Sequence, residues 1–418
     1  MTAVDLLPDP FANEHDADPY AYLAGLREAA PVHRARTGDG RWVWFVTRYA
    51  EARALLADPR MSRDPRNAGA DWLAANRANP TADPGVMAPH VGITDGADHA
   101  RLRRLVSGVF APGPVRAMRA HVDRLAHGLV DALAGRDETD LVTAFAEPLP
   151  AMVICELLGV PEGDREQFRG WIRAVVADDT RAGPEESARR RQAAVGNLFA
   201  YFDRLIAEAR RAPGEGLVST LAAEAADGDR LSEPELRSML FVLLIGGYET
   251  TLGFLATSVL HLLADPGRWR ALHAEPGRCG DAVEELLRYD GSVKTSFWMF
   301  PTEPVRIAGV ELLPGDPVMV SFAAANRDPA ANAEPDRLLL GRSDARHLAF
   351  GHGPHYCLGA PLARVEASAG LAALAARCPE LTLAVPPREV RWQHSPIVRA
   401  PLALPVHPGR VLGRAGAR

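Results

Sequence analysis

Phe350-Gly351-His352-Gly353-Pro354-His355-Tyr356-Cys357-Leu358-Gly359 is the ten-residue stretch from which the architecture of this 418-residue chain can be inferred. An apolar, alanine-rich run with helical spacing follows its single cysteine, from 358 to 376. We therefore expect Cys357 to lie at or just before a helix N-terminus. Unpaired backbone N–H groups and the helix macrodipole favour a thiolate there.

A thiolate in this setting is either a nucleophile or a metal ligand. A nucleophile needs a base within reach, and His352 and His355 are close enough in sequence to keep that interpretation open. A buried structural cysteine is the third alternative. Glycines at 351, 353 and 359 lack a Cβ, so backbone or a flat ligand can approach the loop closely.

The stretch resembles the haem-binding loop of the cytochrome P450 family, F-x-x-G-x-x-x-C-x-G, whose fixed positions here are Phe350, Gly353, Cys357 and Gly359. The resemblance implies that Cys357 is the axial ligand of iron in haem b (iron protoporphyrin IX). Its negative charge would favour O–O cleavage. The resemblance also implies that Phe350, Gly351 and Gly359 contact the cofactor.

Composition is that of an ordinary soluble protein, with 47% hydrophobic and 24% charged residues. The net charge of −6 gives no indication of nucleic-acid binding. The four cysteines are scattered, and the acidic N-terminus has no apolar signal core, so we expect a cytoplasmic protein without a membrane anchor. We expect one domain over 1–418, with 1–17 as a loose segment.

Helical periodicity dominates the chain. Helices are predicted over 19–30, 48–57, 98–109, 112–134, 144–158, 164–177, 185–211, 233–264, 266–275, 279–289 and 361–378. Strands are predicted over 42–47, 305–310, 317–322, 381–385 and 401–406, the second and third flanking a Leu-Pro-Gly-Asp turn. The resemblance covers about 18–406. It implies a mainly α single-domain cytochrome P450 fold with a small β region and a long central helix over the haem.

The longest predicted helix contains an apolar segment, 239–263, that is long enough to span a bilayer. However, Glu249 and Thr250 lie in its middle, and Ser232 with Glu235 forms a capping box at its start. We therefore expect the buried axis of a soluble protein.

Gly246-Gly247-Tyr248-Glu249-Thr250-Thr251 lies halfway along this helix. Two adjacent glycines cost about 2 kcal/mol relative to alanine, and they permit a local widening of the hydrogen-bond ladder. An acid beside an alcohol suits proton delivery into such a notch, although a back-bonded threonine and a salt-bridged glutamate are the alternatives. The segment resembles the family motif (A/G)-G-x-(D/E)-T, which implies that Glu249 and Thr250 deliver protons.

Haem propionates require cationic partners. His99 and Arg103 stand at i and i+4, which resembles the family's H-x-x-x-R clamp, and His355 matches a further partner. Related sequences usually carry a propionate-binding arginine where this chain has Met299. Either another arginine substitutes, or the haem is held with one fewer ionic contact.

Glu285-Leu286-Leu287-Arg288 matches the family's E-x-x-R motif. The resemblance implies that Arg337 completes a buried structural triad with Glu285 and Arg288.

Helix geometry and family alignment together indicate a mostly apolar substrate pocket. Its predicted lining is Val242, Ile245, Gly246, Val293, Thr295, His90, Val91, Ile397 and Val398. Lys294 is the only lysine in the chain, but alternation turns it away if Val293 and Thr295 face inward.

The resemblance implies a haem-thiolate monooxygenase that hydroxylates or epoxidises a hydrophobic small molecule, in the tailoring of a bacterial secondary metabolite. No flavin or iron–sulfur domain fits in the remaining length, so a ferredoxin and its reductase would supply electrons to a monomer. A haem-thiolate sensor or carrier would share Cys357 without needing Glu249 and Thr250. A cysteine hydrolase would use Cys357 without haem.

Overall fold

Helices form most of the computed structural model, which describes residues 6–7, 9–37, 40–76, 88–176, 184–214, 216–223 and 229–414. The helices are α1 (Tyr20–Ala29), α2 (Tyr49–Ala57), α3 (Ala70–Asn76), α4 (Gly96–Ser107), α5 (Pro112–Asp131), α6 (Pro148–Leu158), α7 (Arg165–Val176), α8 (Pro184–Arg211), α9 (Leu217–Ala222), α10 (Glu233–Leu263), α11 (Pro266–Ala274), α12 (Cys279–Asp290), α13 (Phe322–Ala325) and α14 (Ala360–Arg377).

Every predicted helix is confirmed, with end shifts of a few residues; position 177 lies outside the described residues. The unpredicted helices α3, α9 and α13 have at most seven residues, which is too short for a 3.6-residue period to stand out. The start of the predicted 144–158 helix is instead a π-helical turn, Val142–Ala146, before α6.

The β region consists of short strands. They are β1 (Leu6–Leu7), β2 (Val32–Arg36), β3 (Trp42–Val46), β4 (Met61–Ser62), β5 (Thr139–Asp140), β6 (Phe300–Pro301), β7 (Val305–Ile307), β8 (Val310–Leu312), β9 (Val318–Val320), β10 (Thr382–Leu383) and β11 (Pro405–His407). They form a four-stranded sheet in the order β1-β2-β3-β9, a three-stranded sheet β10-β11-β5, and the pairs β4-β6 and β7-β8.

The predicted pairing around the Leu-Pro-Gly-Asp turn is wrong. The hairpin closes earlier, between β7 and β8, through Ala308 and Gly309, whose φ angles are both positive (48° and 81°). Strand β9 instead pairs in parallel with β3, with Val318 opposite Trp44. The predicted C-terminal strands do pair, as β10 and β11.

Helix α10 is the axis of the fold, as its sequence predicts. The capping box of Ser232 and Glu235 is formed at its start, and its side chains belong to two apolar core clusters. It is the one described helix long and apolar enough to cross a membrane, and 56% of its most apolar window is buried within the protein. A core helix packed on nearly all sides has this composition.

A buried ion network joins α12 to the chain before the cysteine loop. The Arg288 guanidinium donates two hydrogen bonds to the Glu285 carboxylate, at 2.7 and 2.9 Å. It also donates to the main-chain oxygens of Asn326, Pro335 and Arg337. The E-x-x-R prediction of a buried structural pair is thus confirmed.

The prediction that Arg337 is the third member of this network is wrong. Its side chain is 64% exposed and pairs with Glu334, and only its carbonyl oxygen meets Arg288. Arg342 completes the network instead, since its Nε donates to Glu285 at 3.0 Å and its side chain is 10% exposed. The two arginines lie in one irregular segment, so no periodicity in the sequence distinguishes which of them turns inward.

We expect Arg342→Gln to lower the free energy of unfolding by about 2–3 kcal/mol, because a hydrogen bond to a buried carboxylate is lost. The matched control Arg337→Gln removes an exposed ion pair, and its effect stays within about 0.5 kcal/mol. Urea denaturation of both variants measures this. Equal losses in the two variants would contradict the placement of Arg342.

Candidate active site

The cysteine loop is held in a tight conformation between α2 and α14. Cys357 N donates to Phe350 O at 2.8 Å, and α14 begins at Ala360, as the sequence predicts for the cysteine's surroundings. Gly353 has a φ of +74°, and a Cβ built there would lie 2.6 Å from Leu56 O. Only glycine therefore fits at this position.

Phe350, Gly351 and Gly359 are the other loop residues for which a cofactor contact is predicted. The Phe350 ring packs against the main core cluster, and the Arg364 guanidinium lies 4.5 Å from its centroid. Gly351 has a φ of +71°, and a Cβ on Gly359 would stand 4.0 Å from the sulfur of Cys357. A longer side chain at 359 would extend beside the sulfur, so the glycine leaves its face accessible.

Cys357 differs from the other cysteines of the chain. It is exposed, whereas Cys155, Cys279 and Cys378 are buried. Burial of its sulfur among neighbouring groups nevertheless raises the pKa of the thiol, although N–H groups of the loop and Arg103 oppose the shift. The N–H groups at the helix start thus favour a thiolate, as the sequence predicts, although burial outweighs their effect. A coordinated metal ion would deprotonate the thiol outright.

The geometry around Cys357 does not fit a cysteine nucleophile. Among the described residues, no imidazole lies within hydrogen-bond distance of the Cys357 sulfur. His355 is engaged elsewhere, because its Nε2 lies 3.2 Å from the Asp95 carboxylate. A hydrolase would need a base where the structure places none.

The predicted propionate partners come together beside the loop. The rings of His99 and His355 lie 4.2 Å apart, and Arg103 Nη2 donates to Tyr356 O at 2.8 Å. These residues come from α4 and from the loop itself, which are 250 residues apart in the chain. The structure thus collects three basic side chains next to Cys357.

Asp95 is the acid of this cluster, and the sequence reasoning missed it. Its carboxylate accepts from Ser62 Oγ at 2.6 Å and from the backbone N–H of Arg63. Burial opposes its ionisation, but the hydrogen bonds from His355, Ser62 and the Arg63 backbone outweigh it and lower the pKa to about 2. A lone Asp before a helix is most often a cap, so no sequence signal marks this role.

His99 tests whether these residues fit a haem. Its side chain is 5% exposed, and Nε2 has no hydrogen-bond partner. Burial, followed by the charges of His355 and Arg103, lowers its pKa to about 4, so the imidazole is neutral near pH 7. A neutral imidazole can donate one N–H to an acceptor, and a buried polar atom left without a partner is costly. A propionate carboxylate would satisfy it, so the residues fit the cofactor.

Thr250 is bonded within its own helix. Its Oγ1 donates to Gly246 O at 2.6 Å, and Ser292 Oγ donates to Thr250 O at the same distance. Helix α10 stays α-helical through both glycines, so the expected widening of the ladder is wrong. Gly246 itself is exposed and opens the helix surface one turn before Thr250.

Glu249 points away from Thr250. Its Oε1 accepts from Gln393 Nε2 at 3.1 Å, and the same nitrogen donates to Val176 O at the end of α7. Burial raises the pKa of Glu249, opposed by the Gln393 hydrogen bond and the charge of Arg191. The two predicted relay residues are not hydrogen-bonded to each other, so a proton passing between them needs an intervening water.

The predicted pocket residues separate into two sets. Val242, Ile245, Gly246, Val91 and Val293 keep exposed surface. The remaining four are less accessible or face elsewhere: Thr295, His90, Val398 and Ile397. The first set is the better candidate lining.

Thr295 and His90 are part of the packed framework, so their assignment to the pocket surface is wrong. Thr295 is 2% exposed and donates to Pro396 O at 2.7 Å. His90 is 5% exposed, its Nδ1 accepts from Gly92 N, and burial lowers its pKa to about 4.

The assignment of Ile397 is also wrong. Val293 and Val398 pair across an isolated β-bridge, so their side chains share a face. Val398 is buried, and its contribution to the pocket is limited to its position beside Val293. Ile397 turns to the opposite side, where it packs against the apolar cluster that contains Phe11 and Leu23. Lys294 turns that way too, as alternation predicts, and lies 3.7 Å from Asp16.

Three comparisons place these observations among known proteins. The family model for Cytochrome P450 matches residues 280–379, which include the cysteine loop. The chain is 41% identical to Cytochrome P450 monooxygenase PikC of Streptomyces venezuelae, over 95% of this chain and 93% of that protein. It is 38% identical to Mycinamicin IV hydroxylase/epoxidase of Micromonospora griseorubida, over 97% of this chain and all of that protein.

The fold is likewise similar to solved structures. The P450 enzyme CxnD, described as acting in C–S bond formation in chuangxinmycin biosynthesis, superimposes with a TM-score of 0.90 at 33% identity. The match covers 99% of this chain and 100% of that one.

Glu366 on α14 is a buried carboxyl group that should make the stability of the protein depend on pH. It is 3% exposed, Oε2 has no hydrogen-bond partner, and burial raises its pKa from 4.5 to about 8. The folded state thus holds this proton more tightly than the unfolded state, and stability falls as pH rises between these values. We expect Glu366→Gln to gain stability relative to wild type, by about 3 kcal/mol between pH 4 and pH 7.

Urea denaturation across that pH range measures the difference. The exposed Glu389, whose carboxylate lies 3.9 Å from the Arg388 guanidinium, supplies the control variant Glu389→Gln, for which the difference should stay constant. A pH-independent difference for Glu366→Gln would show that the buried carboxyl ionises normally.

Proposed function

Since the chain belongs to the cytochrome P450 family and is a haem-dependent monooxygenase, we propose that Cys357 binds the haem iron and that Glu249 and Thr250 supply protons to it. The observation that carries this proposal is the position of Cys357 beside basic side chains, one of which has a buried, unpartnered nitrogen. A thiolate on one side and propionate partners at the edge are what haem binding requires.

Haem supplies the chemistry that side chains lack, which is reductive activation of dioxygen by an electron-rich thiolate-ligated iron. His99 and Arg103 would orient the cofactor through its carboxylates. Phe350 and Gly351 would shape the surface against which it lies, and Gly359 keeps the sulfur accessible.

Thr250 would act chiefly as a hydrogen-bond acceptor toward the oxygen site. Its hydroxyl proton is committed to Gly246 O, so the lone pairs of Oγ1 are directed away from that bond. An acceptor there can hold a water or a protonated oxygen in place. This role differs from simple proton donation, since the Thr250 hydroxyl could pass its proton on only by releasing Gly246 O and taking a proton from a neighbouring water in exchange.

Glu249 would be the proton source. Its raised pKa keeps it protonated over more of the pH range, and Gln393 fixes its position. Proton transfer from Glu249 to the Thr250 hydroxyl then requires one or more waters, or a rotation of Glu249 away from Gln393.

The substrate we propose is a hydrophobic small molecule, hydroxylated or epoxidised during tailoring of a bacterial secondary metabolite. The accessible candidate lining is apolar: Val91, Val242, Ile245 and Val293. Similar proteins include the enzyme named Mycinamicin IV hydroxylase/epoxidase, which is consistent with this substrate class.

We propose that a ferredoxin and its reductase deliver electrons to a monomeric, cytoplasmic single-domain protein. Two arginines near the cysteine loop that could dock an acidic partner are already paired in the described structure. Arg364 pairs with Glu284, and Arg101 pairs with Glu235 and Asp229. Docking therefore depends on the exposed Tyr356 surface beside the cysteine loop or on exchange of these ion pairs.

The absorption spectrum of the reduced protein exposed to carbon monoxide tests Cys357. We expect a thiolate–haem band in wild type and its loss in Cys357→His, because a histidine ligand carries no negative charge. The buried Cys279 lies at the start of α12, and Cys279→Ala should leave the band unchanged. A band retained in Cys357→His would refute the assignment.

Turnover of Thr250→Ala tests the relay. Without the hydroxyl, protons are no longer delivered in order, so we expect product formed per electron pair to fall by about tenfold or more, with hydrogen peroxide released instead. Thr251→Ser is the control, since Thr251 is buried on another side of the helix. A Thr250→Ala variant that stays fully coupled would refute the role of Thr250 in proton delivery.

A further inference from the structure

The missing propionate arginine at position 299 has a structural counterpart across a strand pair. Met299 is 1% exposed and packs in an apolar cluster with Val318 and Leu348, so it offers no polar contact. Strands β4 and β6 are antiparallel, with Met61 opposite Pro301 and Ser62 opposite Phe300.

The same register, extended by one residue, brings Arg63 opposite Met299. The register is the same at the other end of the pair, where Thr302 N donates to Arg60 O at 2.9 Å. Across an antiparallel pair, opposing residues lie about 4.5–5.5 Å apart, so a long side chain from one position reaches the region served by the other.

Arg63 also lies among the cofactor residues. Its backbone N–H donates to the Asp95 carboxylate, which holds His355, and its charge helps to keep His99 neutral. The Arg63 side chain therefore belongs to the group of basic residues collected beside Cys357, to which the sequence analysis did not assign it.

The guanidinium of Arg63 has no anion of its own. Within the described ranges, no carboxylate lies at ion-pair distance from it and no acceptor takes a hydrogen bond from it. Burial lowers its pKa to about 10, with only the longer-range charge of Asp95 in opposition. Other arginines of this region are paired; Arg60, for example, donates to Asp58 at 2.7 Å. A half-buried guanidinium without a partner among the described residues is suited to bind an anionic ligand.

We propose that Arg63 binds a haem propionate in place of the arginine that related sequences carry at position 299. The cationic contact would have moved from the residue before β6 to the residue after β4, so the number of ionic contacts to the haem would be maintained. This inference rests on the proposed haem position at Cys357. It assigns a cofactor-binding role to the residue that follows β4, outside the family motif.

The rate of haem transfer from the loaded protein to excess apomyoglobin tests the proposal. We expect Arg63→Gln to release haem about tenfold faster or more, because a charge-assisted bond to a carboxylate is lost, and Arg63→Lys to lie between that variant and wild type. The reduction potential should also fall in Arg63→Gln, since a positive charge near the haem stabilises its reduced, more negative state.

Arg60→Gln is the matched control, since it removes an arginine of the same segment that is already paired with Asp58. It should leave the transfer rate and the potential unchanged. In Arg63→Gln/Met299→Arg, the charge returns on the opposite strand, and haem release should slow toward the wild-type rate. A double variant that releases haem as fast as Arg63→Gln would contradict the exchange of positions.

Equal transfer rates and potentials for wild type and Arg63→Gln would overturn the proposal. If Arg63→Gln yields no folded protein, comparison of Arg63→Lys with wild type decides, since a lysine cannot match the guanidinium fork and should still accelerate release. A wild-type protein without a thiolate–haem band would instead contradict the position of haem at Cys357. The two failures are therefore distinguishable.

Discussion

The pairing of Glu285 with Arg288 in the core is the interaction on which the cysteine loop depends. Two unlike charges buried together are stable only when every donor is used, and Arg288 uses its remaining donors on the main chain at Asn326, Pro335 and Arg337. Asn326 in turn accepts from Leu348 N, at the start of the loop. The ion pair thus fixes an irregular segment that has little secondary structure of its own, and that segment delivers Cys357 to the helix start.

Local signals in the sequence predicted the parts of the fold that depend on local physics. The long helix α10 and the turn of Gly353 follow from periodicity, capping and glycine geometry. The errors concern choices made by tertiary contacts. Arg337 and Arg342 are five residues apart in an irregular segment, and only packing turns Arg342 toward Glu285. The hairpin at Ala308 was missed because a non-glycine residue adopts a positive φ there.

The candidate site shows the same division. Motifs located Cys357, His99 and Thr250, but they carried no information on which side chains would be joined to each other. Asp95 was missed because its partners come from two distant segments of the chain. The N–H groups at the helix start favour the Cys357 thiolate as predicted, but the burial that opposes them comes from tertiary packing. Contacts between distant segments decide these properties, and a single sequence does not display them.

The close approach of Gly353 to Leu56 O has a consequence for biosynthesis. The carbonyl that limits the loop is made nearly 300 residues before the glycine that meets it, and β9 must also join β3 across a comparable separation. Contacts of such long sequence separation form slowly, because chain closure must come first. The loop therefore reaches its shape only after almost the entire chain has left the ribosome, and loading of the prosthetic group is a late event in the maturation of this protein.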